Sequence, residues 1–516
     1  MKAIFLLILT LLPVAFLHAQ NNGNIDLLAS STITQPNLYH SLQHEDKSVF
    51  QKGSLSISLR DTTHNKRVYL VNDDPEYNKR YPLWYPLIGI VIHNTALNVF
   101  DTYVLKKDYT NIGFNSWKRN LKAGWPWSES WIWSEDKLSL NFIGHPLSGA
   151  GYFNSARSSG YNFLQSTPYA FVGAYWWKMF DEIGPPERED IIITPVDGVL
   201  FGEILYRLSS NILDDRTRGS ERVFREVAVG ILDPVRGLDR LLQGKSFRVT
   251  TKEVYQKEPL NVTLYSGLLK INNETKFGSG SSSGVLNMLV DYGNPFEVRR
   301  RKPFDFFRFN MEFGTGWGKK YLNVVEASGL LFGKNIQWGK LEMLAGAFQH
   351  YDYYDNYIFE LSTLGLGAGI ISKLPVNSNS DLFTSIHFAG VPFGANSTRF
   401  GPDSSKVGDY NFIGGWEAKF ESTLDFGNRV KATIKGNYFW THTFVGLPGK
   451  NTAGNNYVAI INPRISIRII RDLSLGFEQV VYLSDREPDG TLGVVSKRTQ
   501  QKFFLSYYFG NFKHGI

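Results

Sequence analysis

The 516-residue chain contains no cysteine. Disulfide bonds, thiolate metal sites, a cysteine nucleophile and a lipid-modified cysteine are therefore excluded. A strong excess of one charge is also missing, because the formal net charge is only +7. This balance gives no reason to expect nucleic acid as a partner.

Long apolar runs are missing beyond the first residues. An apolar run at residues 3–17 follows Lys2, and the small residue Ala19 precedes Gln20. This pattern predicts a secretory signal peptide at residues 1–19, with an N-terminal membrane anchor as the alternative. Farther along, no uninterrupted apolar stretch reaches the roughly 18 residues that indicate a spanning helix.

Aromatic residues and glycine, by contrast, are abundant. Aromatics make up 15% of the chain, and there are 48 glycines. An exported chain of this size without disulfides needs a large core or a membrane to stabilise it. The composition is typical of an outer-membrane β-barrel, so we expect the outer membrane as the location and its lipid as a partner.

Residues 246–516 alternate with a period of two, which supports the barrel. In the segment FFRFNMEF, Phe307 and Phe309 fall on one face, while Arg308 and Glu312 fall on the other. Charges at every second position opposite aromatics fit a lipid-facing wall around a wet lumen. The alternative is a soluble β-sandwich, which alternates in the same way with its apolar face in a core.

The number of such segments predicts about 12 strands, because single-chain barrels of this type have an even strand number. Gly427 and Asn428 form a predicted two-residue hairpin turn. The last segment, KFFLSYYFG, is similar to the aromatic C-terminal strand that such barrels present to the barrel assembly machinery. The machinery is therefore an expected partner.

The N-terminal half has a different pattern. Residues 20–81 predict a polar periplasmic segment, and residues 82–245 predict a helical domain of four helices. Ser166 or Thr167 is the predicted cap of the second helix, with Pro168 in its first turn. The expected fold class is α+β: a C-terminal antiparallel transmembrane β-barrel of about 12 strands preceded by an N-terminal helical domain.

A size argument places these helices. A closed ring of about 12 strands has a backbone radius of about 12 Å, and inward side chains fill roughly half of it. Because a helix is about 10–12 Å across, the lumen has room for about one. We expect most of the helical domain to lie outside the lumen, beneath the barrel on its periplasmic side.

Residues 131–248 carry an ordered set of motifs. The positions are Asn141, His145-Pro146, Gly149, Tyr152, Ala156-Arg157, Gly160, Ser166, Trp177, Glu182, Asp190, Thr194-Pro195, Gly198, Gly202-Glu203, Tyr206-Arg207, Asp214, Asp215, Gly219, Arg222, Glu226, Pro234, Arg236-Gly237, Arg240 and Gly244. This region resembles the bacterial family called domain of unknown function 3943, whose members look like exported outer-membrane proteins. The resemblance implies a location but no activity. It departs from the family pattern at Trp133, Glu135 and Asp136, where the family has a Trp-Asp step.

Two interpretations of these motifs compete. In a catalytic one, His145 is a general base, Ser148 or Ser166 a nucleophile and Glu182 or Glu203 an orienting acid. In a structural one, the favoured hypothesis, a polar network locks the helices together. Its members are Asn141, His145, Arg157, Glu182, Glu203 and Arg207. The stretch from Asn141 to Ser166 is then a glycine-rich joint between helices.

The functional prediction is an outer-membrane barrel with a structural, transport or envelope-maintenance role and a helical domain on its periplasmic side. The alternatives are a lipid-modifying enzyme of the acyl hydrolase kind and a narrow channel for small solutes. The 10 histidines are scattered, so the sequence predicts no metal site and no cofactor. No soluble ligand is predicted.

Overall fold

The computed structural model describes only part of the chain, with gaps at the N-terminus and in several connections. The described residues are 57–60, 67–70, 80–104, 106, 112–124, 126, 128–134, 136–272, 280–315, 321–356, 358–397, 410–427, 429–446, 454–488 and 494–510. The predicted signal peptide, most of the polar segment, Glu135, Asn428 and residues 511–516 lie outside them.

The chain folds into two compact units. The helical unit comprises Met1–Ser130, Leu147–Pro186 and Thr194–Lys257, and the barrel unit comprises Trp131–Pro146, Glu187–Ile193 and Glu258–Ile516. Two short stretches from the middle of the predicted helical domain therefore cluster with the barrel. A single boundary near residue 245 does not describe this division.

Twelve antiparallel strands close into a barrel, which confirms the predicted fold class and strand number. The strands are β3 (Leu260–Asn272), β4 (Ser281–Tyr292), β5 (Phe307–Thr315), β6 (Leu322–Trp338), β7 (Leu341–Asp355), β8 (Glu360–Asn377), β9 (Ser380–Ser397), β10 (Tyr410–Phe426), β11 (Val430–Val445), β12 (Gly454–Ile470), β13 (Leu473–Pro488) and β14 (Val494–Gly510). Each strand pairs with the next along the chain, and β14 closes the ring on β3. A closed ring leaves no sheet edge, so every strand has a partner on both sides.

The alternation along each strand separates two faces. On β5, Arg308 and Glu312 point into the barrel and line a cavity there. Phe307 and Phe309, on the opposite face of β5, are buried, whereas large apolar residues on the outer face of other strands are exposed. Examples are Phe332, Ile370, Phe388, Ile434, Ile465 and Phe503. An apolar outer face around a charged lumen is the polarity of a barrel surrounded by lipid.

The connections at the two ends of the barrel differ in length. At one end residues 339–340, 378–379 and 471–472 form tight turns, and the short connection at Gly427 and the longer one at residues 293–306 lie at the same end. Gly427 has a φ of +59°, which glycine adopts without strain. The connections at the opposite end are mostly longer, as between β9 and β10.

Seven helices precede the barrel in the described part of the chain. They are α1 (Trp84–Tyr103), α2 (Phe114–Ala123), α3 (His145–Ser158), α4 (Phe163–Trp176), α5 (Asp190–Ile212), α6 (Gly219–Leu232) and α7 (Pro234–Leu242). Short π-helical turns lead into α3 (Leu140–Gly144) and out of α4 (Trp177–Asp181). Ahead of them, β1 (Ile57–Arg60) and β2 (Arg67–Leu70) form an antiparallel pair. No described helix has the length and apolar character needed to cross a membrane.

The cap predicted for α4 was wrong. The helix begins at Phe163, and Asn162 caps it by accepting a hydrogen bond from the Gln165 amide at 3.0 Å. Gln165 in turn accepts from the Asn162 amide, so the pair forms a capping box one turn before the predicted cap. Pro168 therefore lies inside the helix rather than in its first turn.

The predicted glycine-rich joint was also wrong, because residues 145–158 form the continuous helix α3. Its glycines serve close packing instead of a turn. A Cβ on Gly149 would lie 1.8 Å from the Thr194 carbonyl oxygen, and one on Gly198 would lie 2.6 Å from the Gly149 backbone. Helices α3 and α5 thus touch backbone to backbone, which only small residues permit.

Candidate functional site

The barrel lumen is layered along its axis. On β6 the inward residues are, in order, Val324, Glu326, Ser328 and Leu330. Val324 belongs to an apolar cluster toward the longer connections, which also contains Phe359 and Phe439. Leu330 belongs to a second apolar cluster, toward the tight turns. A charged layer that includes Glu326 lies between the two.

Ion pairs cross the charged layer from wall to wall. Arg308 of β5 donates to Asp291 on the adjacent strand at 2.6 Å and to Glu421 of β10 at 2.8 Å. Lys502 of β14 bridges Glu312 at 2.6 Å and Glu478 at 2.9 Å. Since Glu421 and Glu312 lie on strands that do not neighbour those of Arg308 and Lys502, these two contacts cross the lumen and tie its walls together.

Two further lysines complete this layer. Lys435 of β11 donates to Glu326 of β6, and Lys419 of β10 donates to Asp352 of β7. The remaining space is a cavity of about 160 Å³ lined by barrel side chains. That volume holds about five water molecules. Within the described residues, the charged cavity therefore lies between two apolar layers of side chains.

A second polar cluster in the barrel unit contains His145. Carboxylate oxygens of Glu187, Glu189 and Asp190 all lie within 4.8 Å of one another, and the three residues are buried. His145 Nε2 lies 3.6 Å from Asp190 Oδ2, and the Ser134 amide donates to Glu189 Oε1 at 2.9 Å. Carboxylate oxygens are the ligands that hard divalent cations prefer, so these three residues could hold one.

The stretch 131–146 packs against the outer face of the barrel. Tyr351 alternates along β7 with His350 and Asp352, which line the lumen cavity, so Tyr351 points outward. Its hydroxyl donates to the Phe142 carbonyl oxygen. The Asn141 amide donates to the Tyr410 hydroxyl at 2.6 Å. The expected place beneath the barrel is therefore wrong for this stretch.

Aromatic stacking extends the same contact. The Trp133 ring lies 4.9 Å from that of Phe412 and 6.2 Å from that of Phe393, measured between centroids. It also meets Phe444 of β11 edge-on at 6.1 Å. Residues 131–146 thus cover the outer face of β7 and β9–β11, near the ends of these strands.

In the helical unit a buried carboxylate holds two arginines. Glu203 accepts hydrogen bonds from Arg157 Nε at 2.7 Å, from Arg157 Nη2 at 3.1 Å and from Arg207 Nε at 2.8 Å. Arg157 also stacks over the Tyr206 ring at 4.1 Å and donates to the Tyr161 carbonyl. The group connects α3 to α5 and leaves neither arginine without a counter-ion.

A second network in the helical unit connects α6, α7 and the segment after α5. Arg222 and Arg240 share the carboxylates of Asp215 and Glu226, at distances from 2.8 to 3.0 Å. Tyr255 adds a hydroxyl that donates to Asp215 at 3.0 Å. Charges of both signs are therefore buried in matched groups, as the cost of burying an isolated charge requires.

Burial shifts several pKa values in the helical unit. The Asp197 carboxyl is fully buried without a hydrogen-bond partner among the described residues, and burial raises its pKa well above the usual range. Burial, reinforced by the nearby Asp233 charge, raises the pKa of Asp239 to about 7. Burial lowers the pKa of His93 to about 4, so this imidazole is neutral at physiological pH.

Three candidate residues of the catalytic hypothesis, His145, Ser166 and Glu203, do not contact one another. His145 faces Asp190 in the barrel unit, whereas Glu203 is occupied by two arginines in the helical unit. The buried Ser166 hydroxyl has no hydrogen-bond partner among the described residues. Neither His145 nor Glu203 is within hydrogen-bond reach of this hydroxyl, so in the described structure Ser166 forms no Ser-His-Glu triad with them.

The six residues of the structural hypothesis do not form a single network. Arg157, Glu203 and Arg207 come together, while Glu182 pairs with Lys178 at 2.6 Å. Of the other two members, Asn141 contacts the barrel wall and His145 contacts the carboxylate cluster described above. Sequence reasoning did not predict the carboxylate cluster, although the acidic run Glu187–Asp190 is visible in the sequence.

Residues 130–235 match the family model described as domain of unknown function (DUF3943). The match covers the carboxylate cluster, the outer-wall contact and the Arg157–Glu203–Arg207 group. No curated protein matches the chain.

Several solved structures share a weak likeness with the chain. A NanC porin has 7% identity and a TM-score of 0.26, covering 48% of this chain and 98% of its own. The outer membrane channel DcaP of Acinetobacter baumannii has 10% identity and a TM-score of 0.22, covering 50% and 77%. Outer membrane phospholipase A from Escherichia coli has 11% identity and a TM-score of 0.25, covering 49% and 93%. These scores support no assignment of role.

Proposed function

We propose that this member of the DUF3943 family is an outer-membrane β-barrel protein whose barrel is a closed anchor with a structural role in the envelope. The observation that carries the proposal is the layered lumen, in which ion pairs join opposite walls between two apolar clusters. A transport pore instead needs a continuous water-filled path.

The outer surface supports the membrane location. Each of the strands β8–β14 carries exposed apolar side chains, and Ile386 and Phe388 on β9 lie two positions apart. Their inward neighbour His387 belongs to the lumen. Exposing this much apolar surface to water would be costly, whereas acyl chains accept it. Outer-membrane lipid and the barrel assembly machinery are therefore the proposed partners.

The family motif residues Asn141 and His145 have a structural role in this proposal. Asn141 bonds to the outward-facing Tyr410, and His145 faces Asp190 in the buried carboxylate cluster. Both side chains fix the stretch 131–146 against the outer wall.

Conductance in planar lipid bilayers tests the closed lumen. We expect the full chain, once folded and shown to be heat-modifiable on a gel, to give no steady conductance. The variant Phe348→Ala/Lys435→Ser/Phe439→Ala removes one group from each of the three layers and should admit ions. Phe388→Ala, on the exposed outer face, is the matched control and should stay silent.

Two results would reject the proposal. Steady conductance of the unchanged protein, equal to that of the triple variant, would show an open channel. Recovery of the chain in the periplasmic fraction, instead of with outer-membrane lipid, would reject the location itself.

A further inference from the structure

The helical unit has an inverted distribution of polarity. On α7 the side chains of Arg236, Asp239 and Arg240 are buried, while Leu238 and Leu241 are 43% and 53% exposed. Water-soluble helices show the opposite arrangement, with an apolar stripe inward and charges outward. The surroundings of this unit must therefore account for the exposed apolar side chains and the buried charged ones.

Helix α4 exposes larger apolar side chains. Phe171, Val172 and Trp176 are exposed, whereas small residues such as Ser166 and Ala170 lie on its buried face. The exposed aromatic residues form a shallow groove whose lining is entirely apolar. Such a patch would be unfavourable in water and marks a surface that is covered in use.

Helix α1 shows how its outer face avoids polar groups. Trp84, Ile88, Val91 and Val99 are exposed along one side, at the spacing of a single helical face. The Thr95 hydroxyl on that face donates to the Val91 carbonyl at 2.8 Å and so needs no water. A hydroxyl that bonds back to its own helix in this way is satisfied in a lipid environment. The polar Asn94, by contrast, faces inward and is 1% exposed.

Helix α2 adds the chemistry of a membrane surface. Phe114 and Leu121 are exposed on it beside Lys118 and Lys122, while Asn120 turns inward. The inward amide donates to the Lys178 and Glu182 carbonyls, both at 3.0 Å. Exposed apolar residues next to lysines, without an acidic residue on the helix, complement the anionic head groups of lipids.

We propose that the helical unit is immersed in lipid along the outer faces of α1, α2, α4 and α7 without spanning the bilayer. Lipid is the occupant favoured over a protein partner because the apolar faces lie on four helices instead of one groove. The lysines of α2 also match its head groups. The inference builds on the proposed membrane location but concerns a different part of the chain.

Single cysteines test the proposal cleanly because the natural chain has none. Val91→Cys and Leu241→Cys report on the apolar faces, and Ser220→Cys on the exposed first turn of α6 in the same unit. Phe388→Cys on the barrel wall is the membrane reference. Each full-length variant is labelled with a polarity-sensitive thiol fluorophore. It is then folded into vesicles of phosphatidylcholine and phosphatidylglycerol, with heat modifiability confirming the fold.

Two quenchers then distinguish lipid from water. We expect nitroxide-labelled acyl chains to quench positions 91 and 241 as strongly as position 388, and iodide to quench only position 220. Iodide quenching at 91 and 241 equal to that at 220 would overturn the proposal. Protection there from both quenchers would overturn it in favour of a protein partner. If nitroxide-labelled acyl chains failed to quench position 388 alone, the location of the barrel would be rejected instead.

Discussion

Replacing Glu203 by glutamine tests how far the helical unit depends on one buried carboxylate. Glu203 is fully buried and accepts three hydrogen bonds from Arg157 and Arg207, at 2.7 to 3.1 Å. Glutamine keeps the shape but removes the charge, so two guanidinium groups lose their counter-ion. We expect a loss of about 3–5 kcal/mol, the cost of breaking a buried ion pair from one side.

Glu221→Gln is the matched control. Glu221 also pairs with an arginine four residues later on the same helix, and its distance to Arg225 is 2.8 Å, as for Glu203 and Arg207. Its side chain, however, is 31% exposed, against 0% for Glu203. Because water screens the exposed pair, we expect a loss of at most about 1 kcal/mol.

Hydrogen exchange followed by mass spectrometry measures both losses on the full chain in detergent micelles. At about 1.4 kcal/mol for each factor of ten, Glu203→Gln should accelerate exchange in α3 and α5 by about 10² to 10⁴. The control should accelerate exchange in α6 less than about tenfold. Equal and small effects of the two variants would refute the argument that burial sets the strength of this ion pair.

Two further predictions concern the helical unit, and unfolding of the full chain measures both. The raised pKa of Asp197 means that the folded state holds a proton that the unfolded state releases above about pH 4, so stability falls as pH rises through this window. Asp197→Asn should therefore match the unchanged protein near pH 4 and be more stable at pH 8. Asp214→Asn should lose stability at pH 8, because Arg216 and Lys257 outweigh burial and lower the Asp214 pKa to about 2. Equal pH profiles of the two variants would contradict this. Gly198→Ala should cost about 1–3 kcal/mol because its Cβ would meet the Gly149 backbone at 2.6 Å. Gly230→Ala, whose Cβ would meet nothing within 4 Å, should be neutral or gain up to about 1 kcal/mol, and a similar cost at both sites would contradict this.

The barrel was predictable because its signal is local. Alternation along β10 places Glu417, Lys419 and Glu421 on one face, and a period of two needs no knowledge of distant residues. The same holds for the turn at Gly427, whose positive φ glycine tolerates best. Closure into twelve strands followed from the count of such segments.

Helix boundaries were less predictable. Asn162 and Ser166 are both good N-cap residues, and only the capping box between Asn162 and Gln165 decides between them. The glycines of α3 suggest a turn by composition. They are in fact places where α5 approaches, as the contact between Gly149 and Gly198 shows.

The sequence by itself determined the alternation that builds the barrel and the break between α6 and α7 at Pro234. Only the tertiary structure decided which charges meet. Lys502 and Glu312 are 190 residues apart in sequence, yet they lie 2.6 Å apart across the lumen. The reason is physical: local periodicity fixes the face on which a side chain lies, but its partner depends on the register in which the ring closes.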